Sequence, residues 1–202
     1  MAKMPLEDAD ERNTSKLHLN PWEIIQIVLI VIVAYLMYLW KGPPLAALTV
    51  MVWIDKNFFT RLKFQDQFGL ELETLSSIIA GVIYGPFFGF FFGFVVWTFI
   101  GGLFEIVAWM IVPPYGPATY PFVPSFDTLT DGFLGVVGGL VGTSIPLLFL
   151  VFGACVIRNV IQIVKDYVYG WPPKFAYVIN ILFNVIIVIA FQYYLKAIFN
   201  IS

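Results

Sequence analysis

Histidine and cysteine are nearly missing from this sequence, each occurring once, as His18 and Cys155. A single cysteine forms no intramolecular disulfide, and a metal or haem centre of the His/Cys kind needs several convergent ligands. No cofactor or metal is therefore expected, and Cys155, inside the apolar run 147–157, reads as a small buried apolar residue. Charge is scarce as well: Asp, Glu, Lys and Arg make up 12% of residues, against about 25% in a soluble domain. The net charge is −2 and no block of lysine or arginine stands out, which argues against a nucleic-acid partner. A nucleophile would need a positioned base, and the lone histidine lies in the polar segment 1–20. The carboxylates Glu71 and Glu73 sit in a polar stretch, where such pairs are usually just solvated. An enzyme is not expected.

Apolar side chains fill the space left by charge. They account for 60% of residues, with a mean hydropathy of +0.87, more than one soluble core can bury. A helix needs about 20 apolar residues to cross a bilayer. The expectation is an all-α membrane protein, a multi-pass bundle of six or seven transmembrane helices with Gly/Pro breaks, occupying 21–202 of a chain in the cell membrane. Residues 1–20 lack the basic start and short apolar stretch of a cleaved signal and read as a flexible polar leader.

Proline and glycine divide the bundle. Asn20 and Pro21 form a helix start ahead of the apolar run 22–40, and Lys41-Gly42-Pro43-Pro44 forces a turn. The apolar piece 45–53 is too short to cross alone, so it continues through Asn57-Phe58-Phe59 or lies at the interface. Residues 61–73 are polar with interleaved aromatics and leucines and read as a surface loop or an interfacial segment. The apolar stretch 74–112 is 39 residues long; as one helix rising ~1.5 Å per residue it would be nearly twice the bilayer core. Gly85-Pro86 is where it breaks, because proline removes a backbone donor and disfavours a helical residue before it. Segment 113–125 holds five prolines and no charge and reads as an ordered cap over one end of the bundle. Helices follow over 127–142, 147–169 and 175–199. Asp127 is the expected N-cap of the first, and Arg158, Gln162 and Lys165 share a face of the second.

Glycines recur at four-residue spacing, as Gly81, Gly85, Gly89 and Gly93, again as Gly135 and Gly139, and as Gly138 and Gly142. Small residues so spaced let helix backbones approach closely in lipid. They serve packing within the bundle or, alternatively, line an oligomeric channel. Charges inside apolar runs carry a functional expectation, since one at the bilayer centre costs at least ~2.5 kcal/mol. Glu105 is such a residue, and it faces a solute cavity, pairs with Arg158 or sits at the membrane surface. Trp97, Trp109 and Tyr120 supply aromatic walls near it in sequence, and Asn180 and Asn184, four apart, share a face of the final helix. A solute would bind between the helix after Pro86 and the final span, near Glu105, Trp109 and Asn184.

Residues 70–93, Leu70-Glu71-Leu72-Glu73-Thr74-Leu75 through Gly85-Pro86-Phe87-Phe88-Gly89 to Gly93, resemble the second and third helices of the substrate-binding S components of energy-coupling-factor vitamin importers. The stretch 124–142, with Leu129-Thr130-Asp131-Gly132, Gly135, Gly138 and Gly139, looks like that family's glycine-rich fourth helix. The resemblance covers about a third of the chain. It implies a six-helix bundle that binds a small vitamin-like solute and docks on a transmembrane coupling subunit driven by two ATPases. The first apolar run lacks the family's Ala-x-x-x-Ala docking motif, and residues 45–59 are one apolar segment more than it has. If the leader is cytoplasmic and every segment crosses, Arg61, Lys63, Lys165 and Lys174 fall inside, as the positive-inside rule prefers. If 45–59 lies at the interface, those charges move outside. The helix pattern is also similar to the MreD type of membrane scaffold, which has no small substrate.

Overall fold

The computed structural model describes residues 21–60, 64, 68–111, 122–142, 144–170 and 175–199, with the side chains of 109 and 111 left aside. All regular elements among them are helices. Helix α1 is Pro21–Lys41 and α2 is Pro43–Ile54, which runs on into a π-helical turn, Asp55–Thr60. Helix α3 is Glu73–Tyr84. Helix α4 is one continuous path made of Pro86–Phe90, a π-helical stretch Phe91–Gly101 and Gly102–Ile111. Then come α5 (Phe126–Val141), α6 (Leu147–Val168), α7 (Ala176–Ala190) and α8 (Gln192–Phe199). The leader 1–20 and most of the expected cap, 112–121, lie outside the described residues. At the end of that segment Phe122 stacks on Phe99, ring centres 6.4 Å apart.

Local chemistry accounts for most boundaries. Gly42, at φ 84°, turns the chain between α1 and the Pro43-Pro44 start of α2. Ser125 caps α5: its Oγ accepts from the Thr128 amide at 3.0 Å, and the Thr128 hydroxyl accepts from the Ser125 amide at 3.0 Å. Asp127, the expected cap, instead sits in the first turn and binds Lys165 Nζ at 2.8 Å. A hydroxyl two residues earlier reaches the free amides first, which leaves the carboxylate to the helix dipole and a cation.

Three of the described helices are long and apolar enough to cross a membrane: Pro21–Lys41, Pro86–Ala108 and Leu147–Val168. Helices α7 and α8 qualify only as a pair, bent by 71° around Phe191, so 175–199 is not the single straight helix expected. Three to four candidate spans stand where six or seven were anticipated. The shortfall is one of length: α3 has 12 residues and α5 has 16, roughly 18 and 24 Å at ~1.5 Å per residue, below the ~30 Å hydrocarbon core.

End contacts give the chain direction. The Tyr84 hydroxyl donates to the Lys41 carbonyl at 3.0 Å, placing the C-terminal ends of α1 and α3 together. The Lys165–Asp127 pair places the start of α5 beside the end of α6. Glycines weld α3, α4 and α5. A Cβ built on Gly89 would lie 2.6 Å from the Gly135 carbonyl carbon, one on Gly93 2.7 Å from Gly132 N, and one on Gly138 2.6 Å from Ile78 O. Gly81 and Gly139 meet Gly135 and Pro86 in the same way. These helices touch backbone to backbone, a contact any side chain would prise apart.

Gly85 does something different. Its φ of 92° and ψ of 169° fall in a region essentially open to glycine alone, while nothing lies within 4 Å of a Cβ there. It is the hinge between α3 and α4, where the sequence placed a break, and not a packing glycine. Gly85→Ala is therefore expected to cost about 1–3 kcal/mol from backbone strain alone, read as a lower unfolding midpoint in detergent micelles. An unchanged midpoint would show that the turn relaxes to accommodate alanine.

Apolar side chains form the core, with Leu45, Leu75, Ile78, Phe92 and Phe104 fully buried, and they cover much of the outside as well. Ile24, Val28, Val31, Leu36 and Leu39 on α1, Phe149, Phe152, Val160 and Val164 on α6, and Leu182, Ile186 and Ile189 on α7 are exposed. Gln26 is the buried polar residue of α1, and its amide donates to Asn57 Oδ1. Charges and amides lie within.

Candidate functional site

The interior polar groups gather around Arg158, in the middle of the 22-residue α6. Its Nη2 donates to Glu71 Oε2 at 3.0 Å, Nη1 pairs with Glu71 Oε1, and Nε donates to Asp131 Oδ2 at 3.0 Å. Both carboxylates are held from the other side. The Thr74 hydroxyl donates to Asp131 Oδ1 at 2.6 Å, and Asn180 Nδ2 lies 2.9 Å from both Glu71 Oε1 and the Gly69 carbonyl. Asn159 Nδ2 donates to Asn180 Oδ1 at 3.0 Å. Arginine's planar fork suits this arrangement, since a bidentate carboxylate occupies one edge and leaves Nε for a second.

A second group lies beside the first. Lys56 Nζ is 3.9 Å from Glu105 Oε2 and 5.6 Å from the Trp97 ring centre. Trp97 is 1% exposed and its indole N–H donates to Ser76 Oγ at 3.1 Å. Asp55, fully enclosed, accepts the Leu72 amide at 2.5 Å, so the segment leading into α3 is tied to the end of α2. Glu73, the first residue of α3, stands in the field of Asp131, Lys56, Arg158 and Glu71. Among the described residues the interior thus holds six carboxylates, Asp55, Glu71, Glu73, Glu105, Asp131 and Asp166, and two cations, Lys56 and Arg158.

Some buried polar atoms among the described residues have no hydrogen-bond partner: Glu73 Oε1, Ser77 Oγ, Asn159 Oδ1 and Asn184 Oδ1, and, on α2, Trp53 Nε1. Ser77 follows Glu73 by one turn of α3, and Asn184 follows Asn180 by one turn of α7. Apart from Trp53 Nε1, the unpartnered atoms thus belong to residues next to, or one helical turn from, members of the hydrogen-bonded group around Arg158. Leaving a buried polar atom unsatisfied costs about 1–3 kcal/mol.

Of the residues expected from sequence, Glu105 is buried and lies 3.9 Å from Lys56, and it is not the partner of Arg158. Arg158 is taken by Glu71 and Asp131. Trp97 joins the Lys56 group, whereas Asn180 and Asn184 belong with Asn159 and Glu71. Trp109 is on α4, but its side chain and all of Tyr120 lie outside the described residues. Glu71 and Glu73, read as solvated, are each 3% exposed. Asp55, Lys56, Asp131, Arg158 and Asn159 were not singled out as site residues. The available signal was Arg158 itself, a charge within a run long enough to span a membrane, which demands partners of opposite sign. In comparisons with known proteins the chain matches no family model, no curated sequence and no solved structure.

Proposed function

We propose that the chain is a multi-pass membrane subunit that binds a small polar solute along the seam between α3, α6 and α7, in the manner of the S components of energy-coupling-factor importers. The observation that carries the reading is the set of unpartnered buried atoms, Glu73 Oε1, Ser77 Oγ, Asn159 Oδ1 and Asn184 Oδ1. A scaffold of the MreD type has no reason to leave interior polar groups unmatched, because each is a loss with nothing to offset it. A solute that completes them offsets it on binding. The glycine rows favour this over an oligomeric channel, since they are consumed in contacts within one chain. Docking on a coupling subunit with two ATPases, and vitamin-like substrates, are carried by the family resemblance alone.

The test is mass spectrometry of the small molecules retained by protein purified in mild detergent. Asn184 is the residue to vary: its Nδ2 donates to the Asn180 carbonyl of its own helix, so Asn184→Leu removes the free carbonyl with little loss of bundle contact. Wild type is expected to retain a solute and Asn184→Leu to lose most of it with folding unchanged. Absence of any retained solute would favour the scaffold, and equal retention by both would place the solute away from Asn184.

A further inference from the structure

We infer that the solute is a small organic cation whose N–H groups, those of a protonated amine, donate to Glu73 and to the carboxamide oxygens of Asn159 and Asn184. This rests on the solute-binding reading and narrows it to a chemical class. Two independent observations lead here. The first is charge: among the described residues the enclosed carboxylates Asp55, Glu71, Glu73, Glu105, Asp131 and Asp166 outnumber Lys56 and Arg158, and a buried carboxylate that is not to take up a proton needs a cation. Arg158 is already engaged by Glu71 and Asp131 and Lys56 lies 3.9 Å from Glu105, while among the described residues no cation stands within 4 Å of Glu73, which feels Lys56 and Arg158 only at longer range.

The second is the kind of atom left open. Glu73 Oε1 is a carboxylate oxygen in a residue 3% exposed. Asn159 Nδ2 donates to the Cys155 carbonyl at 2.7 Å and to Asn180 Oδ1 at 3.0 Å, which fixes the amide and makes its free atom the acceptor. Asn184 Nδ2 donates to the Asn180 carbonyl at 3.0 Å, so its free atom is an acceptor too. Only Ser77 Oγ can play either part. A ligand that fills the seam must therefore bring donors. Among the described residues no three Asp, Glu, His or Cys side chains are grouped to hold a metal ion. The acceptors belong to three different helices, which suits a cation with several N–H groups better than a point charge.

The experiment measures thermal unfolding midpoints of the detergent-solubilised full chain at matched ionic strength. The probes are ethylammonium and ethanolamine hydrochloride, sodium acetate, and neutral ethylene glycol. The two ammonium compounds are expected to raise the wild-type midpoint and acetate and glycol to leave it unchanged. Glu73→Gln keeps the shape of the side chain and removes its charge, and it should weaken the ammonium response about tenfold or more, as loss of a charge-assisted hydrogen bond implies. The wild-type selectivity stands as a test even if that variant folds poorly. Stabilisation by acetate or glycol but not by ammonium would overturn the cation and leave solute binding intact. An equal ammonium response in Glu73→Gln would overturn the assignment to this seam. No response to any probe, with no solute retained on purification, would overturn both readings.

Discussion

Replacing Arg158 by methionine is expected to prevent accumulation of folded protein. The substitution fits the space but leaves Glu71 and Asp131 buried, at 3% and 0% exposure, with their shared cation gone. Removing one partner of a buried ion pair typically costs about 3–5 kcal/mol, which is comparable to the whole stability of a small domain. Here one cation serves two carboxylates. The loss should be partly restored when Glu71→Gln and Asp131→Asn are added, because the damage is done by the stranded charges more than by the missing contact. Lys165→Met provides the contrast. Its partner Asp127 is 37% exposed at the side chain, and such pairs contribute about 0–1 kcal/mol. The measurement is the fraction of monodisperse protein recovered in detergent together with its unfolding midpoint. Similar losses for Arg158→Met and Lys165→Met would show that the interior charges are not held as described.

The second large effect comes from a single methyl group. In Gly135→Ala the new Cβ would stand 2.5 Å from the Gly89 carbonyl carbon and 3.0 Å from its Cα. The obstructing atoms are backbone, which cannot rotate aside as a side chain can, so α4 and α5 must separate along their length. Overpacking costs about 1–3 kcal/mol where side chains can adjust, and about 3 kcal/mol or more is expected here. Gly153→Ala, in the interior of α6 with nothing within 4 Å of the added Cβ, should instead stabilise by about 0.5–1 kcal/mol, the ordinary helical preference for alanine. The same substitution at two helical glycines is thus expected to move stability in opposite directions. Destabilisation of both to a similar extent would mean that helix distance is not what Gly135 controls.

What the sequence made legible was what local chemistry decides. Pro86 and the glycine before it mark the α3–α4 break, Lys41-Gly42-Pro43-Pro44 marks the first turn, and four-residue glycine spacing marks the surfaces of α3, α4 and α5. The site was only partly legible because burial of a charge depends on where a segment travels. Glu71 and Glu73 lie in a stretch polar enough to be a surface loop, but Leu72 is tied to Asp55 and Glu71 to Arg158, contacts spanning 17 and 87 residues. No periodicity reports such pairings. The bend at Phe191 occurs without a glycine or proline nearby and so leaves no local mark. The π-helical register of α4, which helps bury Trp97 and Gly101 on one helix, is equally silent in a run of apolar residues.

The order of charges along the chain also bears on how the protein is made. Glu71 and Asp131 leave the ribosome before Arg158, which follows Asp131 by 27 residues. At roughly 5–20 residues per second, both carboxylates wait seconds for the guanidinium that neutralises them. During that interval Glu71, just before α3, and Asp131 on α5 lack the cation that joins them, although the Thr74 hydroxyl is already there for Asp131. Completion of the ion-paired interior is therefore a joint event that waits for α6, and a nascent chain stalled before Arg158 carries two acids without their cation.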